Sequence, residues 1–142
     1  MSGTSEVAVD ASTWVRLLMP DDPRHAVTLQ WLGGWVNNGG TIVAPTLLLA
    51  EVAGAVSRQT GQSRLGREAL NNVLTNRAVR LVPMDASLAE AAAELAADLR
   101  LRGADAVYVA VARRFGVPLV TWDQEQLQRA GAVITTRTPD AA

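Results

Sequence analysis

The sequence predicts an α/β fold, namely a three-layer α/β/α sandwich around a mainly parallel central sheet of four to five strands. Short runs rich in β-branched residues recur along the chain, and longer segments with a helical pattern separate them. The short runs are too short and too apolar to alternate between a buried and an exposed face, as expected for strands buried on both faces. A doubly covered parallel sheet is the arrangement that satisfies both observations.

The predicted strands are five apolar runs, at 6–10, 41–44, 79–83, 117–121 and 132–136. Helices fill the intervals between them. Asp22 followed by Pro23 predicts a helix start, and this helix continues to Asn37, where two glycines follow. Further helices are predicted at 46–58, 62–76, 85–102, 104–115 and 124–130.

The composition fits a single globular domain. The 142 residues suit one domain, 1–142, whose core runs from about residue 6 to 136, and 49% of them are hydrophobic. All 13 basic residues are Arg, and the net charge of −1 gives no broad basic field, so any nucleic-acid contact has to be local. The chain has no Cys, signal-peptide pattern or apolar run long enough to span a bilayer. We therefore expect a soluble, cytoplasmic protein with no membrane contact.

One carboxylate interrupts the apolar stretch LLLAEVAGAV at 47–56. The neighbours of Glu51 three and four positions away are all apolar or glycine, which predicts a buried helix. Burying a lone ionised carboxylate costs several kcal/mol, so a reason for its presence is needed. A functional site, a salt bridge to a distant Arg and a side chain that reaches solvent are the three explanations.

Three aspartates lie where a parallel sheet binds its ligands, near the carboxyl ends of strands. Asp10 closes the first predicted strand and Asp123 follows the fourth, while Asp105 opens a helix. Each also has a purely structural explanation. Asp10 and Asp123 suit helix N-caps, Asp123 with Gln126 matches a capping box, and Asp105 suits the positive end of a helix dipole.

The four carboxylates predict a metal site if the fold brings them together. Oxygen ligands without Cys or His favour a hard cation, Mg²⁺ or Mn²⁺, over zinc. Clustered carboxylates repel one another, and a cation resolves that conflict. Such a site can activate a water molecule and orient a phosphodiester for hydrolysis.

Four ordered stretches resemble the PIN-domain ribonucleases, and among them the VapC-type toxins of toxin–antitoxin pairs. They are VDAS at 9–12, LLAEV at 48–52, ADAVYVAVA at 104–112 and LVTWD at 119–123, and the resemblance covers roughly residues 6–136. It implies an α/β/α sandwich with a parallel sheet, a PIN-like fold, and metal-dependent endonucleolytic cleavage of RNA.

The resemblance also implies roles for individual residues. The catalytic, metal-holding quartet would be Asp10, Glu51, Asp105 and Asp123. Ser12 and Thr121 match the small hydroxyl residues that support the quartet. Where many relatives continue the last motif with a second Asp and a Phe, this chain has Glu125 and Gln126.

Partners follow from the same resemblance. A cognate VapB-type antitoxin would press its C-terminal segment over the acidic pocket, with an Arg among the carboxylates. We also expect a homodimer; Trp31 and Trp35 share one helix face that either packs inside or marks a dimer or partner surface. Arg16, Arg102 and Trp122 are candidate RNA contacts, although core packing also explains the Trp and a helix end explains Arg102.

Rival functions lack necessary residues. A phosphoacceptor receiver domain and a Gly-rich nucleotide-binding loop both need a Lys, which the chain does not contain. A haloacid-dehalogenase-type phosphatase has Asp-x-Asp after its first strand, where this chain reads Asp10-Ala11-Ser12. The remaining alternative is a catalytically silent PIN-like domain that acts as a binding or scaffold module.

Overall fold

The structure is a computed structural model that describes residues 5–141. Within this range five strands form one sheet: β1 (Glu6–Val9), β2 (Thr41–Pro45), β3 (Val79–Val82), β4 (Leu119–Val120) and β5 (Thr136–Arg137). Their order is β3-β2-β1-β4-β5, and every neighbouring pair is parallel. The predicted parallel α/β fold is confirmed.

Helices flank the sheet in two groups. The described helices are α1 (Ala11–Leu18), α2 (His25–Asn37), α3 (Leu47–Thr60), α4 (Ser63–Thr75), α5 (Ala86–Leu99), α6 (Gly103–Phe115) and α7 (Gln124–Arg129). Helix α1 packs on α2 and α3, and α3 packs on α4, whereas α5 packs on α6, and α6 contacts β1 and β2. No helix in the described part of the chain is both long and apolar enough to cross a bilayer.

The central strands are buried on both faces, as their composition predicts. In β1 and β2, Val7 to Val9 and Ile42 to Ala44 are at most 2% exposed. Because all strands are parallel, their carboxyl ends lie along one edge of the sheet. From β1 the chain continues through β2 to β3 on one side of the sheet, and from β4 it continues to β5 on the other side. The strand order therefore reverses between β1 and β4, which opens a crevice at this edge.

Two predicted boundaries and one predicted burial pattern are wrong. The run 132–136 was expected to be a strand, but Ala130–Ala132 forms a 3₁₀ turn and β5 begins at Thr136. Helix α2 begins at His25 and not next to Asp22, whose carboxylate pairs with Arg16 and accepts the amide of Arg24 instead of capping the helix. Helix α3 is buried on one face only, through Leu48, Val52 and Val56.

Candidate functional site

A cleft of about 580 Å³ lies at the carboxyl edge of the central strands. The four carboxylates singled out from the sequence all line it, namely Asp10, Glu51, Asp105 and Asp123. They come from four separate segments: the β1–α1 junction, helix α3, the first turn of α6 and the β4–α7 junction. Two guanidinium groups, those of Arg58 and Arg102, line the same cleft.

Asp10 is both a helix cap and a cleft residue, because its two oxygens have different partners. Oδ1 accepts the Thr13 hydroxyl at 2.6 Å and the Thr13 amide at 3.4 Å, which caps α1. Oδ2 accepts the Ser12 hydroxyl at 2.6 Å. The predicted helix cap is therefore present, and the same residue lines the cleft.

Burial dominates the electrostatics of Asp10. The residue is only 2% exposed, and this loss of water raises the pKa of its carboxyl. The hydrogen bonds from Ser12 and Thr13 offset part of the effect. A carboxylate in this position gains from any nearby positive charge.

Asp105 and Asp123 share one cation, Arg102. Nε of Arg102 is 3.3 Å from Oδ2 of Asp105, and Nη2 is 3.7 Å from Oδ2 of Asp123. Burial raises the pKa of Asp105, and the charges on Asp123 and Asp10 raise it further, while Arg102 opposes the shift. Oδ1 of Asp123 meanwhile caps α7 through the amide of Gln126 at 3.0 Å.

The side chain of Gln126 connects two of the carboxylates. Its Nε2 donates to Oδ2 of Asp10 and to Oδ1 of Asp105, each at 3.1 Å. The predicted capping box is thus only half formed, since the amide of Asp123 donates to the Thr121 hydroxyl and not to Gln126. The glutamine faces into the acidic cluster instead of bonding back to its own helix end.

Glu51 has a different partner from the ones the sequence suggested. The buried Tyr108 hydroxyl donates to its Oε1 at 2.6 Å, and the Glu51 side chain is partly exposed at the cleft. No described cation lies within ion-pair distance of Glu51. Burial, together with the bond to Glu51, raises the pKa of Tyr108, so the hydroxyl keeps its proton.

The other predicted residues divide into two sets. Ser12 and Arg102 line the cleft, and Thr121 is fully buried beside it. Arg16 and Trp122 are not among the cleft residues. Arg16 forms an ion pair with Asp22, and the Trp122 indole donates to the Thr28 hydroxyl while the Arg24 guanidinium covers its ring.

Sequence reasoning missed three polar lining residues, Arg58, Gln59 and Tyr108, and the side-chain contacts of the buried Gln126 with two carboxylates of the cleft. Tyr108 follows Asp105 by three positions, which places both on one face of α6, so helical spacing could have indicated it. Gln126 was identified from the sequence as the capping-box partner of Asp123 and as a departure from the pattern of relatives, and neither observation indicated its contacts with Asp10 and Asp105. Nothing in the sequence indicates Arg58, which lies two turns beyond Glu51 on α3.

The donor chemistry of the cleft fits a divalent cation. The carboxylates offer oxygen ligands only, and burial leaves Asp10 and Asp105 short of compensating charge. Among residues 5–141, however, no three acidic, His or Cys side chains are gathered closely enough to form a ready-made ion cage. Glu51 instead accepts the hydrogen bond from Tyr108, and Asp123 lies 3.7 Å from Arg102.

Comparison with known proteins identifies the sequence family. The family model described as PIN domain matches residues 7–132. No curated protein sequence is significantly similar to the chain.

Solved structures share the fold. The toxin VapC20 of Mycobacterium tuberculosis, described as cleaving the sarcin-ricin loop, has a TM-score of 0.74 at 22% identity, covering 91% of this chain and 96% of its own. VapBC2 from Rickettsia felis, bound to a promoter DNA fragment, gives 0.72 at 15% identity, covering 94% and 98%. A toxin–antitoxin complex from Klebsiella pneumoniae gives 0.67 at 18%, covering 96% and 99%. At these identities the likeness establishes a common fold.

Proposed function

The chain belongs to the PIN domain family, and on that premise we propose that it is an endoribonuclease that requires Mg²⁺ or Mn²⁺. One observation carries the proposal: carboxylates from four segments line one cleft, and two of them are bonded to the same amide nitrogen. The single domain 1–142 would then contain the whole active site.

A bound Mg²⁺ or Mn²⁺, held by Asp10, Glu51, Asp105 and Asp123, would supply an activated water molecule and stabilise the leaving oxygen of the phosphodiester. The residues of the chain prepare for this. Ser12 and Thr13 fix the orientation of the Asp10 carboxylate, and Thr121 fixes the start of the segment that presents Asp123.

Substrate binding falls to the cations of the cleft. Arg102 and Arg58 are exposed guanidinium groups on its wall, suited to the oxygens of an RNA backbone. Arg102 is already paired with Asp105 and Asp123, so we expect it to bind a phosphate once another cation has replaced it beside these carboxylates. Arg16 and Trp122, which lie off the cleft, could contact only more distant parts of the RNA.

We propose that the protein acts as a VapC-type toxin and that a VapB-type antitoxin controls it. We also propose that it forms a homodimer. The sequence resemblance and the fold shared with toxin–antitoxin structures support this role. The contacts of Arg102 with two carboxylates indicate that a guanidinium is accommodated in the cleft, as an inhibitory Arg from a partner would require. The stacked pair Trp31 and Trp35, with ring centroids 6.3 Å apart, is a candidate subunit or partner contact.

RNA cleavage by the purified protein tests the enzymatic proposal. Asp10→Asn and Asp105→Asn should abolish cleavage in Mg²⁺ or Mn²⁺ while circular dichroism shows a retained fold, because Asn keeps an acceptor for the cap. Asp98→Asn, the same change at an exposed position on α5, should leave the rate unchanged. Full activity in excess chelator would refute metal dependence, and metal binding without cleavage would instead favour the silent binding module.

The toxin role has its own test. Affinity capture from the native host should recover a small protein that inhibits the cleavage assay. Failure to recover any small inhibitory partner would count against the toxin role without affecting the ribonuclease proposal.

A further inference from the structure

Gln126 is the residue that contacts most of the acidic cluster. It is fully buried, its side-chain Nε2 bonds to Asp10 and Asp105, and its backbone amide bonds to Asp123. A single neutral residue therefore touches three of the four carboxylates.

The carboxyl oxygens around the amide fix its orientation. An amide nitrogen carries two hydrogens, and here one points at each carboxyl group. The opposite orientation would direct the Oε1 lone pairs at oxygens that are themselves acceptors. In the observed orientation Oε1 is buried and has no hydrogen-bond partner among residues 5–141. The two bonds to Asp10 and Asp105 thus hold the side chain although its oxygen is unsatisfied.

The amide and a cation would need the same oxygens. Oδ1 of Asp10 is already bonded to Thr13, and Oδ2 is bonded to Ser12 and Gln126. Of these donors, Gln126 alone also bonds Asp105 in the described structure. A cation held jointly by Asp10 and Asp105 must take over oxygens that the glutamine now occupies.

We propose that the Gln126 amide substitutes for the cation in the metal-free protein. It holds Asp10 and Asp105 together when no metal is bound, and it is displaced from both when metal binds. Its displacement is a cost of metal binding, so Gln126 lowers the metal affinity of the site while it stabilises the metal-free fold. The inference rests on the proposed metal dependence and assigns to Gln126 a positioning role.

Replacing Gln126 with Met tests the proposal, because Met keeps the unbranched length and lacks a donor. Calorimetric titration with Mn²⁺ should show binding about tenfold tighter than in the wild type. Tenfold corresponds to about 1.4 kcal/mol, which is within the range of one hydrogen bond to a charged group. The denaturation midpoint should fall in chelator and recover towards the wild-type value in saturating Mn²⁺. Gln128→Met, the same change at an exposed position of α7, should alter neither quantity.

Other outcomes overturn the proposal. Unchanged Mn²⁺ affinity with equal loss of stability in both conditions would mean that Gln126 only supports the fold, and weaker binding would mean that its oxygen is a ligand. If Gln126→Met does not fold even with Mn²⁺, Gln126→Asn serves instead; its shorter amide reaches only one carboxylate and should tighten binding by a smaller factor. A wild-type protein that binds no Mn²⁺ would refute the proposed function itself, whereas a wild type that binds Mn²⁺ and a Gln126→Met variant of equal affinity would refute the inference alone.

Discussion

The pairing of Glu51 with Tyr108 allows a quantitative prediction for Glu51→Gln. The carboxylate accepts one hydrogen bond of 2.6 Å from a tyrosine that is 1% exposed, and no ion pair with a described cation holds it. Gln has the same shape and keeps an acceptor oxygen. The substitution therefore weakens one bond and leaves no cation stranded.

The magnitude follows from the kinds of bond involved. A hydrogen bond to a charged group contributes about 1.5–3 kcal/mol and a neutral one about 0.5–1.5 kcal/mol, so the exchange costs about 1 kcal/mol. Removing a negative charge from a cleft that also contains Asp10 and Asp105 offsets part of this cost. We expect the unfolding free energy of the metal-free variant to lie within about 1 kcal/mol of the wild type, while RNA cleavage is lost.

Chemical denaturation in chelator at neutral pH measures this, with a double-mutant cycle as the control. Tyr108→Phe removes only the hydroxyl, and the coupling between the two changes should be about 1 kcal/mol. Tyr108→Phe should also retain much more cleavage than Glu51→Gln. A loss of about 3–5 kcal/mol in Glu51→Gln with cleavage retained would show that the carboxylate belongs to a buried ion pair, and the reasoning would be wrong.

Three further predictions concern the rest of the molecule. The hydrogen bond from Arg80 lowers the pKa of Glu6. The pair therefore makes its full contribution to stability at pH values above the ordinary pKa of 4.5, and this contribution is lost as the pH falls through the lowered pKa. In urea titrations, Glu6→Gln should thus cost at most about 1 kcal/mol near neutrality, since Arg80 is 49% exposed, and nothing in strong acid. A Cβ on Gly66 would lie 2.7 Å from a backbone oxygen of α3, so Gly66→Ala should lower the free energy of unfolding by about 1–3 kcal/mol. A Cβ on Gly33 would meet no atom within 4 Å, so Gly33→Ala should raise the free energy of unfolding by about 0.5–1 kcal/mol. Arg58→Gln should weaken RNA binding measured in chelator and reduce the slope of log affinity against log salt by about one; an unchanged slope would exclude a phosphate contact.

The strands could be predicted where composition alone decides them. β1 and β2 are buried on both faces, so their β-branched residues leave no other assignment. At β5 the same signal misled, because Ile134 packs against the core while Val133 is exposed, and the amides of both bond to the carbonyl of Ala130 in a 3₁₀ turn. Apolar character alone does not distinguish a strand from a turn, because hydrogen bonding decides between them.

The candidate site divides in a similar way. The positions of the carboxylates relative to strand ends could be predicted from the sequence, because chain direction fixes which edge of a parallel sheet they reach. The hydrogen-bond partners of those carboxylates could not be predicted. The bond from Gln126 to Asp10 and the bond from Tyr108 to Glu51 depend on side-chain rotamers in elements far apart along the chain. A sequence pattern does not predict these rotamers.

The hydrogen bond between Gln126 and Asp10 spans 116 positions of the chain, which has a consequence during synthesis. A ribosome produces Asp10, Glu51 and Asp105 well before it reaches Asp123 and Gln126. β4, which completes the sheet on one side of β1, is also made late. A nascent chain thus carries an unfinished cleft until α7 has been translated. For an enzyme proposed to cut RNA, we therefore expect a nascent polypeptide that has not yet reached α7 to show no cleavage.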